Sequence, residues 1–366
     1  MFVSSESGSP KRSARRRRTA RSDLGSEGVT PIPAANLWRT RDIGSSESIT
    51  LEIDLAELTE AAELLRATGC DVTSVATAAL PLGAAAPTLA EIHRQLTEGR
   101  GITVVSGFPV GDVADETIEF VFWRLGLALG TPVSQSVMGE RLGHIVDRSD
   151  VDPQARAYRR NEELTPHTDP ADFLSFLCLR PAAEGGINHF VSSMTIHEEM
   201  REHHPELLTL LYHGYRYSRF GEHAADEEPI TPYRVPVFSS RDGQISCRMV
   251  RQYIEIAAAE DPTCALDDVD RAALDTFESL AVDPTLALSV RLGAGDAVFA
   301  NNYTVLHDRT AFTDSSNGPK RHLLRLWLEA DPPRPVMAET RIYPSSAGVP
   351  PQPGRTPSYA TDVEII

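Results

Sequence analysis

The feature that most limits the fold of this 366-residue chain is a series of short segments rich in β-forming residues, which begins near residue 173. Turns that contain Gly, Pro or Asp separate several of them, and helical stretches near 195–211 and 250–259 interrupt the series. Many short strands with turn signals favour a sandwich or barrel over a parallel α/β sheet. The sequence therefore predicts a mainly β fold with helical decorations around a jelly-roll core. The predicted strands lie in 173–180, 188–194, 236–240, 243–249, 286–292, 296–302 and 321–330.

The part of the chain before this series is predicted to be mixed. Apolar residues at helical spacing predict helices over 55–66, 89–96 and 116–129, and the segment GITVVSGFPV predicts a buried strand. Residues 1–35 are rich in Ser, Arg and Gly, which indicates a disordered basic arm. We expect one catalytic domain over 36–335 and an irregular, Pro-rich tail over 336–366.

Composition narrows the class of partner. A net charge of −17 argues against a dedicated nucleic-acid binder, and no segment reaches the ~20 apolar residues that cross a bilayer. The four cysteines form no CxxC pair, and the arginine run near residue 15 lacks the apolar segment of an export signal. We therefore expect a cytoplasmic protein that binds a small molecule, with no nucleic-acid or membrane partner. The sequence leaves homo-oligomerisation open.

A His-x-Asp pair carries the first chemical signal. In LTPHTDPADF, His167 and Asp169 are two residues apart, so an extended chain places both side chains on one face. An imidazole beside a carboxylate suits a divalent first-row metal, and one more histidine would complete a facial triad with open positions. His307, which follows an apolar strand, is the candidate for that third ligand.

The closing strand RHLLRLWLEA adds two arginines to the signal. Alternation places Arg321, Arg325 and Trp327 on one face of a strand that is apolar throughout. A buried guanidinium needs an anion, which is either a structural acidic side chain or a ligand. If the strands of His307 and Arg321 formed a hairpin, Arg321 would lie across from the metal and clamp the far carboxylate of a metal-bound dicarboxylate. 2-Oxoglutarate has the shape for both contacts.

With these motifs the chain resembles the TauD/TfdA-like family of Fe(II)- and 2-oxoglutarate-dependent oxygenases, which includes taurine dioxygenase and clavaminate synthase. The resemblance covers about residues 101–330, and it depends on four motifs that occur in the family's order. It implies a double-stranded β-helix fold of the cupin-like type, and the use of Fe(II), 2-oxoglutarate and O2 to hydroxylate an unactivated C–H bond. The motifs are HTD at 167–169, EGGIN at 184–188, NNYTVLHDRTAF at 301–312 and RHLLRLWL at 321–328.

The resemblance also implies roles for individual residues. His167, Asp169 and His307 match the iron ligands, and Arg321 matches the arginine that binds the cosubstrate. Arg325 matches a position that contacts an anionic substrate group in some members, so an anionic or amino-acid-like substrate is expected. Relatives carry Thr or Ser after the double glycine, where this chain has Asn188, whose amide can still donate to the cosubstrate carboxylate.

Two further residues are weaker candidates for substrate binding. Arg309 lies two residues after His307 and either faces the same cavity or pairs with an acidic neighbour at the surface. Asn161 precedes the HTD motif, together with Tyr158, and is placed at the substrate entrance.

Two other kinds of protein share parts of this pattern. A zinc-dependent hydrolase or lyase on a cupin-like barrel would also use His, Asp and His as ligands. It would not need Arg321 opposite the metal. A non-catalytic cupin-like binding protein would not need the triad and the arginine together.

Overall fold

The computed structural model describes residues 31–150, 156–316, 318–344 and 348–354. The described chain from Ile32 onward forms one compact unit. The predicted basic arm lies almost wholly outside the described residues. Among the residues that the structure describes, no helix is long and apolar enough to span a bilayer.

A seven-stranded sheet forms one side of the fold. Its strands run in the order β1-β2-β12-β6-β15-β3, and β4 also pairs with β15. The central strands β6, β12 and β15 are buried almost from end to end, which is why they read as nearly continuous apolar runs. The bounds are β1 Thr50–Glu52, β2 Ile102–Ser106, β3 Gly130–Pro132, β4 Leu142–Ile145, β6 Phe173–Arg180, β12 Ala297–Asn301 and β15 His322–Ala330.

A four-stranded antiparallel sheet holds the histidines. Its strands run in the order β11-β8-β13-β5. Two further sheets, β10-β9 and β14-β7, have two strands each. Buried residues of both larger sheets share one hydrophobic cluster. The bounds are β5 Leu164–His167, β7 Glu184–Gly185, β8 Asn188–Ser192, β9 Phe238–Arg241, β10 Gln244–Cys247, β11 Leu288–Val290, β13 Val305–Arg309 and β14 Phe312–Thr313.

The hairpin considered above between the strands of His307 and Arg321 is not formed. Strand β13 pairs with β5 and β8, whereas β15 pairs with β6, β3 and β4 in the other sheet. The connecting segment explains the difference, because β14 within it pairs with β7 and directs the chain from the small sheet to the large one. His307 therefore lies in the small sheet, whereas Arg321 lies just before a strand of the large one.

Helices cover the outer face of the large sheet and fill the insertion after β8. The predicted helices 55–66, 89–96, 116–129 and 250–259 are confirmed with small shifts of their ends, and α8 was not predicted. The stretch 195–211 is two helices, because Pro205 cannot continue α5 and instead begins α6. The bounds are α1 Thr40–Ile43, α2 Ala56–Ala67, α3 Ala86–Thr97, α4 Asp115–Leu129, α5 Ser193–His203, α6 Pro205–His213, α7 Arg251–Glu260 and α8 Asp268–Ala281.

The described part of the Pro-rich tail packs onto the domain. Its only regular element within 336–344 and 348–354 is a 3-10 turn, Ala338–Thr340, but Ile342, Tyr343 and Val349 are buried. The backbone N–H of Val349 donates to the Ser134 carbonyl at 3.0 Å. The tail therefore contributes to the core while remaining irregular.

Candidate metal centre and cosubstrate pocket

Three predicted ligands converge at the end of the small sheet. Strand β5 ends at His167, whose register partner on β13 is His307, and the two rings lie 4.3 Å apart between centroids. Asp169 follows in the next turn, with its carboxylate oxygens 3.8 Å from Nε2 of His167 and 3.5 Å from Nε2 of His307. One ligand atom from each residue lies within 4.8 Å of the other two. Two imidazoles and one carboxylate at this separation suit one divalent first-row metal ion.

The ionisation of these groups also suits metal binding. Burial, followed by the neighbouring His167, lowers the pKa of His307 to about 3, so its imidazole is neutral at pH 7. Burial raises the pKa of Asp169, but His307 and Arg325 outweigh it and the net pKa is lowered. Nδ1 of His167 lies 2.7 Å from the Thr165 carbonyl, to which it must donate. That bond keeps the proton of the neutral imidazole on Nδ1, so the lone pair of Nε2 is available to bind a metal.

Neighbouring side chains fix the position of Asp169. Trp327 on β15 donates from Nε1 to Oδ2 of Asp169 at 2.8 Å. The Asp169 backbone N–H donates to Oδ1 of Asn302 at 3.1 Å, and Arg248 donates to the Asp169 carbonyl. Such partners orient a metal ligand and tune its basicity. The large sheet therefore supports a metal ligand that lies beside the small one.

Arg321 and Asn188 line one cavity. Both side chains are buried, and neither Nη1 of Arg321 nor Nδ2 of Asn188 has a hydrogen-bond partner among the described residues. Burial lowers the pKa of Arg321. Unpaired buried donors are costly unless a ligand satisfies them, and a carboxylate accepts from both kinds of donor. The cavity therefore fits the distal carboxylate of a 2-oxo dicarboxylic acid.

A glycine turn leaves room for the guanidinium of Arg321. Gly186 has φ +64°, a conformation that favours glycine. A Cβ at this position would lie 3.1 Å from Nε of Arg321. The EGGIN motif thus allows the backbone to approach the arginine closely.

Arg325 lies farther along β15 in a different environment. Its guanidinium carbon is 4.4 Å from the ring centroid of Tyr158 and 4.5 Å from that of Trp327. Nε donates to Oε1 of Gln135 at 2.6 Å. Arg325 lines neither the cavity at Arg321 nor the second cavity described below. It shares the inward face of β15 with Arg321, as the alternation predicted.

Two weaker candidates, Arg309 and Asn161, are not part of either cavity. Arg309 is buried and donates from Nη2 to the carbonyls of Arg160, at 2.9 Å, and Glu162. The side chain of Asn161 is exposed, and its carbonyl accepts from the Phe312 N–H at 3.0 Å. Arg309 thus joins β13, and Asn161 joins β14, to the segment before β5.

A second cavity adjoins the turn that carries Asp169. Its walls include Pro170 and Arg248, the carboxylate residue Asp172 and Tyr303. Arg248 is buried and forms no ion pair within the described residues. Tyr343 from the tail also lines it, so the tail borders the space beside the metal centre.

Several site residues could not be assigned from the sequence. Trp327 was placed on the inward face of β15, but no sequence signal indicated a bond to Asp169. Gln135 precedes Arg325 by 190 positions, and an isolated glutamine in a loop carries no signal of its own. Asn302 lies within the NNYTVLHDRTAF motif, which was the available signal for it.

Comparison with known proteins agrees with this geometry. Residues 71–327 match the model of the Taurine catabolism dioxygenase TauD, TfdA family. The FR-33289 synthase of Streptomyces rubellomurinus is 32% identical over 315 residues, which span 82% of this chain and 91% of the relative. A structure of asparagine oxygenase with Fe(II), 2S,3S-3-hydroxyasparagine and succinate has a TM-score of 0.58 at 18% identity, and covers 76% of this chain and 93% of that one. The oxygenase OrfP with Fe and alpha-ketoglutaric acid has a TM-score of 0.53 at 19% identity, with the same two coverages.

These matches decide among the classes that the sequence left open. The family match spans more than half of the chain and includes all three predicted ligands and Arg321. The zinc hydrolase and the non-catalytic binding protein are therefore set aside. The chain belongs to the TauD, TfdA family and is a 2-oxoglutarate-dependent dioxygenase that uses iron.

Proposed function

We propose that His167, Asp169 and His307 bind Fe(II), and that Arg321 and Asn188 bind the distal carboxylate of 2-oxoglutarate. The observation that carries this proposal is the pair of unsatisfied buried donors in one cavity, in a fold that also brings the three ligand atoms within 4.8 Å of one another. A metal triad alone would fit several chemistries. The additional carboxylate pocket favours a metal-bound 2-oxo acid.

The iron and the cosubstrate supply the oxidising chemistry when bound, converting O2 and 2-oxoglutarate to succinate, CO2 and one oxygen atom for a C–H bond. The protein contributes binding and orientation. Trp327 holds one carboxylate oxygen of Asp169, and the carbonyl of Thr165 sets the tautomer of His167. The neutral imidazole of His307 requires no proton release before it binds a metal. Phe176 and Phe190 pack around His307 and exclude water from that side.

We further infer that the two larger sheets form a double-stranded β-helix. Supporting this, β6 and β15 of one sheet and β8 and β13 of the other contribute to one hydrophobic cluster. Phe176 on β6 contacts His307 on β13, with ring centroids 5.9 Å apart. In such a barrel, ligands from one sheet and supporting side chains from the other meet in the interior.

The proposed substrate is a small amino-acid-like molecule with an acidic group, and the proposed reaction is hydroxylation. Two observations support this class. A similar structure, that of asparagine oxygenase, holds hydroxyasparagine, and Arg248 is a buried cation beside Asp169 that forms no ion pair within the described residues. Asp172 lines the same cavity as Arg248, so that space offers charges of both signs to a zwitterion. Asn161 at the substrate entrance stays a prediction.

We place the reaction in the cytoplasm, where a free small molecule would reach the enzyme. All four cysteines are free, and two of them, Cys178 and Cys247, are buried. Buried free thiols are typical of a reducing compartment.

The proposed ligand set can be tested by anaerobic titration. Purified apoprotein receives Fe(II) and then 2-oxoglutarate, while the weak visible absorption band produced by chelation of iron by a 2-oxo acid is recorded. The wild-type protein is compared with His167→Ala and Arg321→Ala. We expect a saturable band in the wild type, no band in the first variant, and a band that needs far more 2-oxoglutarate in the second.

The titration has a clear contrary result. If wild-type protein binds metal but gives no band with 2-oxoglutarate, the proposed cosubstrate site is wrong. If the band survives in His167→Ala, the assigned ligand set is wrong. Denaturant unfolding of each variant establishes that a lost band reflects lost ligands and not a lost fold.

A further inference from the structure

A buried cluster of two arginines and one phenylalanine lies beside the cosubstrate cavity. Arg309 on β13 and Arg321 before β15 both lie over the ring of Phe312 on β14, with guanidinium carbons 5.0 and 4.9 Å from its centroid. All three side chains are at most 5% exposed. The face of an aromatic ring attracts cations, so one ring holds two guanidinium groups whose charges repel each other.

The cluster carries an excess of positive charge. Neither Arg309 nor Arg321 forms an ion pair within the residues that the structure describes, and the acceptors of Arg309 are neutral backbone carbonyls. The carboxylates of Asp147, Glu162 and Asp314 act on them only from beyond ion-pair distance. Two buried cations without an ion pair favour binding of an anion there.

The cluster also connects the cosubstrate arginine to the metal ligands. Arg309 donates to the carbonyls of Arg160 and Glu162, and the Phe312 N–H donates to the carbonyl between them. This segment leads into β5, which ends at His167. Arg309 itself lies two residues after His307 on the same strand.

We propose that Arg309 is a positioning residue for cosubstrate binding: through the ring of Phe312 it holds the guanidinium of Arg321, and it adds a second positive charge that favours the distal carboxylate of 2-oxoglutarate. This inference rests on the proposed function, because it assumes that Arg321 binds the cosubstrate. It replaces the expectation that Arg309 binds the substrate. Arg309 lines neither cavity, so it acts on the ligand through its neighbours.

Binding of two related acids separates this role from a general effect on folding. Protein loaded anaerobically with Fe(II) is titrated by calorimetry with 2-oxoglutarate and with 2-oxopentanoate, which has the same chain length but no distal carboxylate. The variants are Arg309→Met, which removes the charge, Arg309→Lys, which keeps it, and Phe312→Leu, which removes the ring. Arg219→Met is the matched control, because Arg219 is equally buried and also donates to backbone carbonyls, but in the insertion and tail.

The expected result is selective for the distal carboxylate. Arg309→Met should raise the Kd of 2-oxoglutarate about tenfold, as expected for loss of one nearby buried charge. It should leave the Kd of 2-oxopentanoate within about twofold. Arg309→Lys should recover part of the loss, Phe312→Leu should show a smaller loss, and Arg219→Met should bind both acids as the wild type does.

Three results would overturn the inference. Arg309→Met could bind 2-oxoglutarate like the wild type, it could lose both acids equally, or Arg219→Met could show the same selective loss. Failure of the proposed function looks different. In that case the wild type does not bind 2-oxoglutarate, or Arg321→Met binds 2-oxoglutarate as tightly as the wild type does.

Discussion

The two ends of the segment 321–325, on the inward side of β15, carry the same residue type in opposite states. Arg321, just before the strand, is buried with Nη1 unpaired beside an open cavity. Arg325, four residues later, lies between the rings of Tyr158 and Trp327 and donates to Gln135. The first end is ready for a ligand, whereas the second is already packed by the protein itself.

The difference between these ends separates a binding role from a structural one. A buried donor without a partner lowers the stability of the ligand-free protein and raises the affinity for an acceptor. A donor with a good partner between two aromatic rings stabilises the fold without any ligand. Mutation of each arginine should therefore affect different measurements.

Replacement of Arg321 should give the largest loss of binding. Arg321→Met removes a charged fork that can form two hydrogen bonds to one carboxylate, so the Kd of 2-oxoglutarate should rise about 100-fold or more. The ligand-free protein should keep its stability or gain up to about 1 kcal/mol, because an unpaired buried cation is lost. Calorimetry with 2-oxoglutarate and urea unfolding measure the two effects. A large loss of stability with unchanged affinity would reverse the roles of the two ends.

Replacement of Arg325 should mainly reduce stability. Arg325→Met removes the bond to Gln135 and both ring contacts, and the free energy of unfolding should fall by about 2 kcal/mol. The Kd of 2-oxoglutarate should change by less than about threefold. The same two assays measure both values. If Arg325→Met raised the Kd of 2-oxoglutarate as much as Arg321→Met does, the cosubstrate would contact both arginines. The two residues would then share one binding role.

The sequence predicted the face on which each arginine lies, but not whether its guanidinium has hydrogen-bond partners. Alternation along RHLLRLWLEA placed Arg321, Arg325 and Trp327 together, and buried clusters on the two sides of β15 confirm that division. The partner of Arg325 lies 190 residues away in a loop, which no local pattern could identify. Whether an arginine is paired depends on tertiary neighbours, and these were beyond the sequence.

The same limit explains the wrong hairpin. The strands of His307 and Arg321 are close in sequence, and short connections usually join paired strands. Here β14 pairs with β7 and separates them, a contact made by only two residues of each strand. The three predicted ligands nevertheless lie within 4.8 Å of one another, because Asp169 follows His167 by only two residues and His307 is the register partner of His167.

Trp327 provides a finer test of the packed end. Trp327→Phe keeps a large ring but removes the donor to Oδ2 of Asp169, so the Kd of a divalent metal should rise about tenfold. Once metal is saturating, the Kd of 2-oxoglutarate should be unchanged. Titration with Mn(II), followed by 2-oxoglutarate at saturating metal, gives both values. Unchanged metal affinity would show that the bond to Trp327 does not organise Asp169.

The smallest expected effect concerns the outer face at the Arg321 end. His322 lies next to Arg321, but its Nδ1 is 2.6 Å from Nη2 of Arg180, and its Nε2 is 3.0 Å from Nδ1 of His144. Arg180 is a donor, so Nδ1 of His322 accepts and Nε2 donates to His144. Burial, then His144 and Arg180, lowers the pKa of His322 from 6.5 to about 4.

This lowered pKa predicts a loss of stability in acid. Between pH 6.5 and about 4 the unfolded chain binds a proton at His322 and the folded protein does not, so the free energy of unfolding falls as the pH falls. Because the ring is partly exposed, we expect the effect to be about 1 kcal/mol, and His322→Gln should remove it.

A second group on this face has the opposite effect on stability. Burial raises the pKa of Glu119 to about 7, so its contribution to the free energy of unfolding rises as the pH falls. That contribution is shared by both proteins, so the difference between their urea unfolding curves across this pH range reports His322 together with its partner His144, whose pKa burial also lowers. The Kd of 2-oxoglutarate should be equal in the wild type and in His322→Gln. A change would show that the outer face of β15 also controls Arg321, so the contrast between Arg321 and Arg325 would not arise on the inward face alone.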